Sequence, residues 1–176
     1  MFVRPEKILD YLHLLPGMKV ADLGAGRGDY ILPLATKVAP DGRVFAVDIQ
    51  NELLASIASQ IKTTNLASIV DTIWGDIETR GGSKIADGAV DAVVLSNILF
   101  QVDSAYGLAL EAKRILAPKG KVLVVDWKDS FGNLGPTTNQ VFGPEKCEQV
   151  MREAGFVKEN VFEAGDHHYG HIYVLA

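Results

Sequence analysis

The sequence predicts an α/β domain on a doubly wound, mostly parallel sheet of seven strands, with an antiparallel strand at its C-terminal end. Three observations predict it. Short continuous runs rich in Val, Ile and Ala recur along the chain, as expected of parallel strands buried on both faces. Stretches with helical spacing separate them, which implies right-handed crossovers. The last two apolar runs have only a Gly165-Asp166 turn between them, too short for a crossover helix, so they pair antiparallel.

The first helix is expected to start near Pro5, bury Ile8, Leu9, Leu12 and Leu15, and stop at Pro16-Gly17. Residues 19–23 read as the first strand and 44–47 as the second, which closes on Asp48-Ile49. Asn51 is a plausible N-cap for a helix that buries Leu53, Leu54, Ile57, Ala58 and Ile61. Strands at 69–74 and 91–95 follow. Asp103-Ser104 caps a helix carrying Ala105, Leu108, Ala109, Ala112, Ile115 and Leu116, which ends before Pro118-Lys119-Gly120. The fifth strand is 122–125. The polar Gly/Pro loop 132–143 is long enough to be functional. A helix at 145–154 stops at Gly155, and strands at 156–162 and 169–175 complete the sheet. There is no internal repeat or interdomain linker, so residues 1–176 read as one domain, with residues 1–17 packing on or over its site.

Composition sets limits on function. The 176 residues are 48% hydrophobic and 22% charged, as in an ordinary globular domain. Lys+Arg is 17 against 22 Asp+Glu, a net charge of −5, which argues against nucleic acid as the main partner. The single cysteine, Cys147, excludes an intrachain disulfide or a Cys-based zinc site and fits an intracellular, cytoplasmic protein. No apolar run approaches the ~18 residues of a membrane span, and Arg4, Glu6 and Lys7 stand where an export signal would be apolar. Homo-oligomerisation is left open: a small open sheet offers an edge or helix face for pairing.

The strongest chemical signal is Asp22-Leu23-Gly24-Ala25-Gly26-Arg27-Gly28-Asp29, between the first strand and the first crossover helix. Glycines at every second position let the backbone turn sharply and approach a ligand. Free N–H groups at the helix start favour an anionic or electron-rich ligand group. The spacing is not that of G-x-G-x-x-G, because Asp29 occupies the third glycine position and would repel a pyrophosphate. No Gly-Lys-Ser/Thr follows, so it is not a P-loop. Asp48 stands about twenty residues on, where doubly wound folds set an acid against ribose hydroxyls; its carboxylate suits a vicinal diol. Ser96-Asn97 ends the fourth strand beside the glycine loop, where ligands of such sheets bind. Asn97 reads equally as a substrate contact or a helix-start residue.

The pattern D-x-G-x-G-x-G resembles motif I of class I S-adenosylmethionine-dependent methyltransferases. Nearly the whole chain is similar to a bacterial group of small methyltransferases related to the quinone-biosynthesis and arsenite enzymes. The similarity runs through Leu15-Pro16-Gly17, Asp48, Gly75-Asp76, Leu95-Ser96-Asn97, Leu116-Ala117-Pro118-Lys119-Gly120, Asp126-Trp127-Lys128, Glu153-Ala154-Gly155-Phe156 and His168-Tyr169-Gly170. It implies a Rossmann-like fold, S-adenosylmethionine as cofactor and a small-molecule acceptor. It also implies that Asp22 faces the donor's ammonium group, that Gly24, Ala25, Gly26, Gly28, Ile49 and Ser96 line its site, that Asp48 holds the ribose, and that Asp76 accepts from the adenine amino group beside Ile77. The reaction it implies is in-line transfer of the sulfonium methyl, with the protein positioning the reactants and excluding water.

Three departures from the family matter. Phe100-Gln101 replace histidines common in relatives, one cysteine argues against arsenite as acceptor, and no capping insertion is present. Candidates for a general base or substrate contact at the strand ends are Asp126, Lys128, His168, Tyr169 and His171. His168 and His171 alternate to opposite faces of the last strand, which disfavours a shared metal, and none is expected. His13 belongs to the surface or boundary of the first helix. Two other readings stay open: a non-catalytic binding module or partner subunit, and a nicotinamide-dependent reductase.

Overall fold

The computed structural model describes residues 3–132 and 134–176. Asn133, in the loop read from the sequence as functional, lies outside the described residues. Seven strands form one sheet in the order β3-β2-β1-β4-β5-β7-β6: β1 (Lys19–Leu23), β2 (Arg43–Asp48), β3 (Val70–Trp74), β4 (Val90–Ser96), β5 (Leu116–Trp127), β6 (Phe156–Gly165) and β7 (His168–Leu175). The neighbours from β3 to β5 pair parallel, and β7 runs antiparallel to both β5 and β6. The helices are α1 (Pro5–Ile8), α2 (Ile31–Val38), α3 (Asn51–Lys62), α4 (Ala105–Ile115) and α5 (Pro144–Glu153).

The apolar runs are continuous because both faces of the sheet are covered. Val20, Val44, Ala46, Val94 and Leu123 pack with Leu34 and Val38 of α2 and Ile57 and Ile61 of α3. Ala21, Leu23, Val93, Val122 and Val124 face the other way, onto Leu108 and Ala112 of α4 and Met151 of α5. Period-two alternation in the strands therefore feeds two helix layers.

Ser104 caps α4 by accepting the Gly107 amide at 3.0 Å. Gly155, at φ +93°, ends the α5 segment in a conformation that costs glycine little. Among the described residues no helix is long and apolar enough to cross a membrane.

Four expectations need adjustment. Gln50, not Asn51, stands at the N-cap of α3, and no side chain caps that helix. The first helix is short: α1 passes into a 3₁₀ turn at Leu9–Leu12, and His13 closes it in the left-handed region at φ +52°. Leu15 is consequently beyond the helix and 60% exposed, while Ile8, Leu9 and Leu12 are buried. Leu116 belongs to β5, and Ala58 lies on the exposed face of α3.

From β1 the chain winds out through β2 to β3, then returns to place β4 on the other flank of β1. The C-terminal ends of β1 and β4 thus border a switch point, where open α/β sheets leave a crevice.

Candidate functional site

Two cavities meet at that crevice. The larger, about 630 Å³, is lined by Asp22, Gly24, Ala25, Gly26, Tyr30, Ser96 and Asn97, with Val3, Pro5 and Glu6 from the N-terminal segment above. The smaller, about 340 Å³, is lined by Asp48, Ile49, Gln50, Leu53, Asp76, Ile77 and Ile98. Gly24, Gly26, Arg27 and Gln101 line both. Every residue assigned from the sequence to cofactor contact borders these cavities except Gly28.

The glycine loop is braced from within. The Gly24 and Ala25 amides donate to Val47 O at 2.9 and 3.0 Å, and Gly28 N donates to Ala25 O at 2.8 Å. Gly26 N donates to Asp48 Oδ2 at 2.8 Å. The fold itself uses these four amides. All three glycines hold positive φ (82°, 53° and 84°). A Cβ on Gly24 would stand 2.7 Å from Ile98 and one on Gly28 2.8 Å from Ile57. Gly28 is thus a packing glycine, and Gly26 faces open space.

Asp22 is the penultimate residue of β1, just before the loop, and is 2% exposed. Burial, reinforced by Asp48 and Asp29, lifts its carboxyl to about 7. No cationic side chain pairs with it among the described residues. Tyr30 lies over it, 5% exposed, beside Ser96, its hydroxyl without a hydrogen bond of ordinary geometry among the described residues. Burial holds that phenol firmly protonated. Asn97 takes φ +53°, and its buried Oδ1 also lacks a partner. A strained backbone and two buried polar atoms without ordinary partners thus occur together at one cleft.

Asp48 and Asp76 carry local bonds as well. Asp48 Oδ1 accepts Gln50 N at 2.9 Å. Asp76 accepts Glu78 N at 3.0 Å and Thr79 Oγ1 at 2.7 Å. Each oxygen keeps a second lone pair for a ligand.

Of the six candidates for a base or substrate contact, Asn97 alone lines the cleft, and Asp126, Lys128, His168, Tyr169 and His171 do not reach it. Asp126 is fully buried, with its oxygens accepting Leu99 N and Trp127 N at 2.9 and 2.8 Å. It fixes the segment after β4, and burial raises its carboxyl to about 7. Lys128 pairs with Glu163 at 2.8 Å in a separate cavity on the other flank of α1. His168 packs on Trp127 with ring centroids 4.2 Å apart, and burial lowers it to about 4. Tyr169 is buried beneath the loop and donates to Phe142 O at 3.0 Å. His171 faces the α5 side, bonded to Tyr173 Oη at 2.9 Å and lowered by burial to about 4. His167 pairs with Asp129 at 2.7 Å. His13 is exposed.

Sequence reasoning missed Glu6, Arg27, Tyr30, Gln50 and Gln101 as lining residues. Tyr30 carried a signal: a polar-tipped ring immediately after a glycine loop, at the head of an apolar helix.

A family model described as a methyltransferase domain matches residues 21–124. An uncharacterized 37.1 kDa protein in transposon TN4556 of Streptomyces fradiae is 36% identical over 68% of this chain and 34% of its own. A demethylmenaquinone methyltransferase of Symbiobacterium thermophilum is 26% identical, covering 83% of this chain and 71% of its own. Several relatives are matched over less than half of their own length. The crystal structure of a SAM dependent methyltransferase from Aquifex aeolicus superposes with a TM-score of 0.89 at 24% identity, covering 99% of this chain and 91% of that one.

Proposed function

The chain belongs to the methyltransferase domain family, and we propose that it transfers the methyl group of S-adenosylmethionine to a small-molecule acceptor. One observation carries this reading: a buried carboxylate, Asp22, without a cationic partner among the described residues, under a loop whose N–H groups of Gly24, Ala25, Gly26 and Gly28 are already bonded. A buried anion calls for a cation. A loop with so many of its amides satisfied is ill suited to the pyrophosphate of a nicotinamide cofactor, which separates this reading from a reductase.

The residues fit an S-adenosyl donor. Asp22 would take its ammonium group, with Ala25 and Ser96 beside it and Gly26 giving close backbone approach. Asp48 has acceptor capacity left for the ribose hydroxyls, Asp76 for an adenine amino group, and Ile49 and Ile77 flank the smaller cavity as apolar walls. When bound, the donor supplies a methyl group already activated for displacement.

The chain's own work is then positional. The braced loop and Asp48 hold the ligand rigidly, and Pro5 and Glu6 shield the larger cavity from water. Asn97 and Tyr30 remain in that cavity to orient the acceptor.

Titration calorimetry with S-adenosylmethionine, S-adenosylhomocysteine and nicotinamide dinucleotide tests the donor assignment. Binding of the first two and not the third is expected; the reverse overturns it. A metabolite extract supplied with isotope-labelled donor then reports transfer by mass spectrometry, and donor binding with no labelled product favours a non-catalytic module.

A further inference from the structure

We propose that Trp74 and Lys84 are positioning residues for the nucleobase end of the donor, holding the two walls of the smaller cavity at the spacing that selects adenine. The proposal rests on the donor assignment above. Neither side chain lines the cavity itself; both act through residues that do.

The walls come from two neighbouring strand exits, Asp48 to Gln50 at the end of β2 and Asp76 to Glu78 after β3. β3 is the edge of the sheet, so β2 alone flanks it. Ile49 is 61% exposed, and packing does little to fix it. Bonds across the strand ends do so instead. Asp48 and Trp74 are partners in the ladder. Past that pair, Gly75 N donates to Asp48 O at 3.1 Å, and Trp74 Nε1 donates to Ile49 O at 2.9 Å. The indole thus joins the residue just beyond β2 to the strand that delivers Asp76.

Trp74 is held in its turn. It is 52% exposed, so burial does not set its ring. Lys84 grips it from the far side: Nζ donates to Trp74 O at 2.6 Å and lies over the ring, 4.7 Å from its centroid. To do this Lys84 stands at φ +59°, a left-handed conformation uncommon for a residue with a side chain. Such strain persists where the surroundings impose it. Here Lys84 N donates to Gly81 O at 3.1 Å, and the preceding Ser83 is bonded through N and Oγ to the buried Glu111 carboxylate of α4. A glycine would take this backbone freely, so what lysine adds at the position is its side chain. The segment that opens with Asp76 therefore returns at Lys84 to clasp the strand it left.

The consequence is base selection. Asp76 is an acceptor and favours an amino group over a carbonyl on the ring. It can reject the wrong base only while the opposite wall, Ile49, keeps the ring within its reach. A tryptophan and lysine that merely covered the sheet edge would stabilise the fold and leave base selection untouched.

The test uses the full chain with S-adenosylhomocysteine and S-inosylhomocysteine, which carry an amino group and a carbonyl at the same ring position. Trp74→Phe keeps an aromatic ring and removes the N–H. Lys84→Met keeps the chain length and removes the cation. Calorimetry is expected to show the parent preferring the adenosyl compound. Each variant should weaken adenosyl binding by about threefold to tenfold, the worth of one hydrogen bond, and change inosyl binding by less than about twofold, so that the preference shrinks. An unchanged preference in either variant overturns the proposal, whatever happens to its melting temperature, because that is the behaviour of an edge cover. Equal affinity of the parent for the two compounds overturns it as well. Failure of S-adenosylhomocysteine to bind the parent is instead the failure of the donor assignment.

Discussion

Asp48 Oδ2 accepts the Gly26 amide at 2.8 Å, so the tip of β2 is a strut for the glycine loop as well as a wall of the smaller cavity. Its other oxygen accepts Gln50 N at the start of α3. Asp48→Ala therefore removes a proposed ribose contact and a loop brace together. Donor affinity should weaken by about 1.5–3 kcal/mol, the range of charge-assisted hydrogen bonds. Unlike a contact made only to ligand, this change should also lower the melting temperature of the free protein. Calorimetry with a thermal melt checks both; an unchanged dissociation constant would refute the ribose role.

Asp22 makes donor binding proton-linked. Its carboxyl sits near 7 in the free protein because of burial, then Asp48 and Asp29. An ammonium partner holds it ionised, so Asp22 should release about half a proton on binding at pH 7. Calorimetry in two buffers of different ionisation enthalpy measures this. For the free protein the sign follows from a folded value above the unfolded 3.8: stability contributed by Asp22 falls as pH rises from about 4 to about 7. Asp22→Asn should flatten that slope, stabilise the free protein at pH 8 relative to the parent, and weaken donor binding.

Gly24 and Gly26 separate packing from binding. A methyl at Gly24 meets Ile98 at 2.7 Å, whereas one at Gly26 finds only Gly24 O at 3.9 Å. Both positions carry positive φ, a strain of about 1–2 kcal/mol for alanine. Gly24→Ala should exceed that cost through the clash. Gly26→Ala should stay within it yet lose donor binding, since its methyl enters the cavity. Equal melting temperatures for the two variants would contradict this division.

The sheet was legible because burial on both faces leaves unbroken apolar runs such as Val122-Leu123-Val124-Val125, and because Gly165-Asp166 is too short for a crossover. The donor half of the cleft was legible for a related reason: a strand, a glycine turn and an acid on the next strand meet wherever this topology forms. The rest depended on side-chain direction at strand ends. Asp126 within β5 and Lys128 just beyond it are two charged residues at one strand tip, yet the carboxylate turns inward to Leu99 N and the ammonium reaches Glu163 on a different flank. Glu6 and Gln101 stand in segments the sequence already set near the site, but which of their side chains would line the cleft depends on side-chain direction, which spacing does not give.

Glu111 should prove the most sensitive carboxylate for folding. It is fully buried on α4, where it accepts Gly81 N at 2.8 Å, Ser83 Oγ at 2.5 Å and Arg114 Nη2 at 2.7 Å. Arg114 continues to Ile85 O and Asp87. Together they pin the connection between β3 and β4, whose first turn includes Asp76 through Thr79 Oγ1. Burial alone would raise the Glu111 carboxyl, but Arg114, Ser83 and Gly81 hold it near 2. A folded value below the unfolded 4.5 means its stabilisation is present above about 4.5 and is lost as pH falls toward 2. Glu111→Ala should cost about 3–5 kcal/mol, because it leaves the Arg114 guanidinium without its buried partner. Adding Arg114→Met should recover part of that loss, since the stranded charge is then gone. Urea denaturation of both variants at pH 7 measures this, and a double variant weaker than Glu111→Ala would show that the pair's value lies in Arg114's bonds to Ile85 and Asp87 instead.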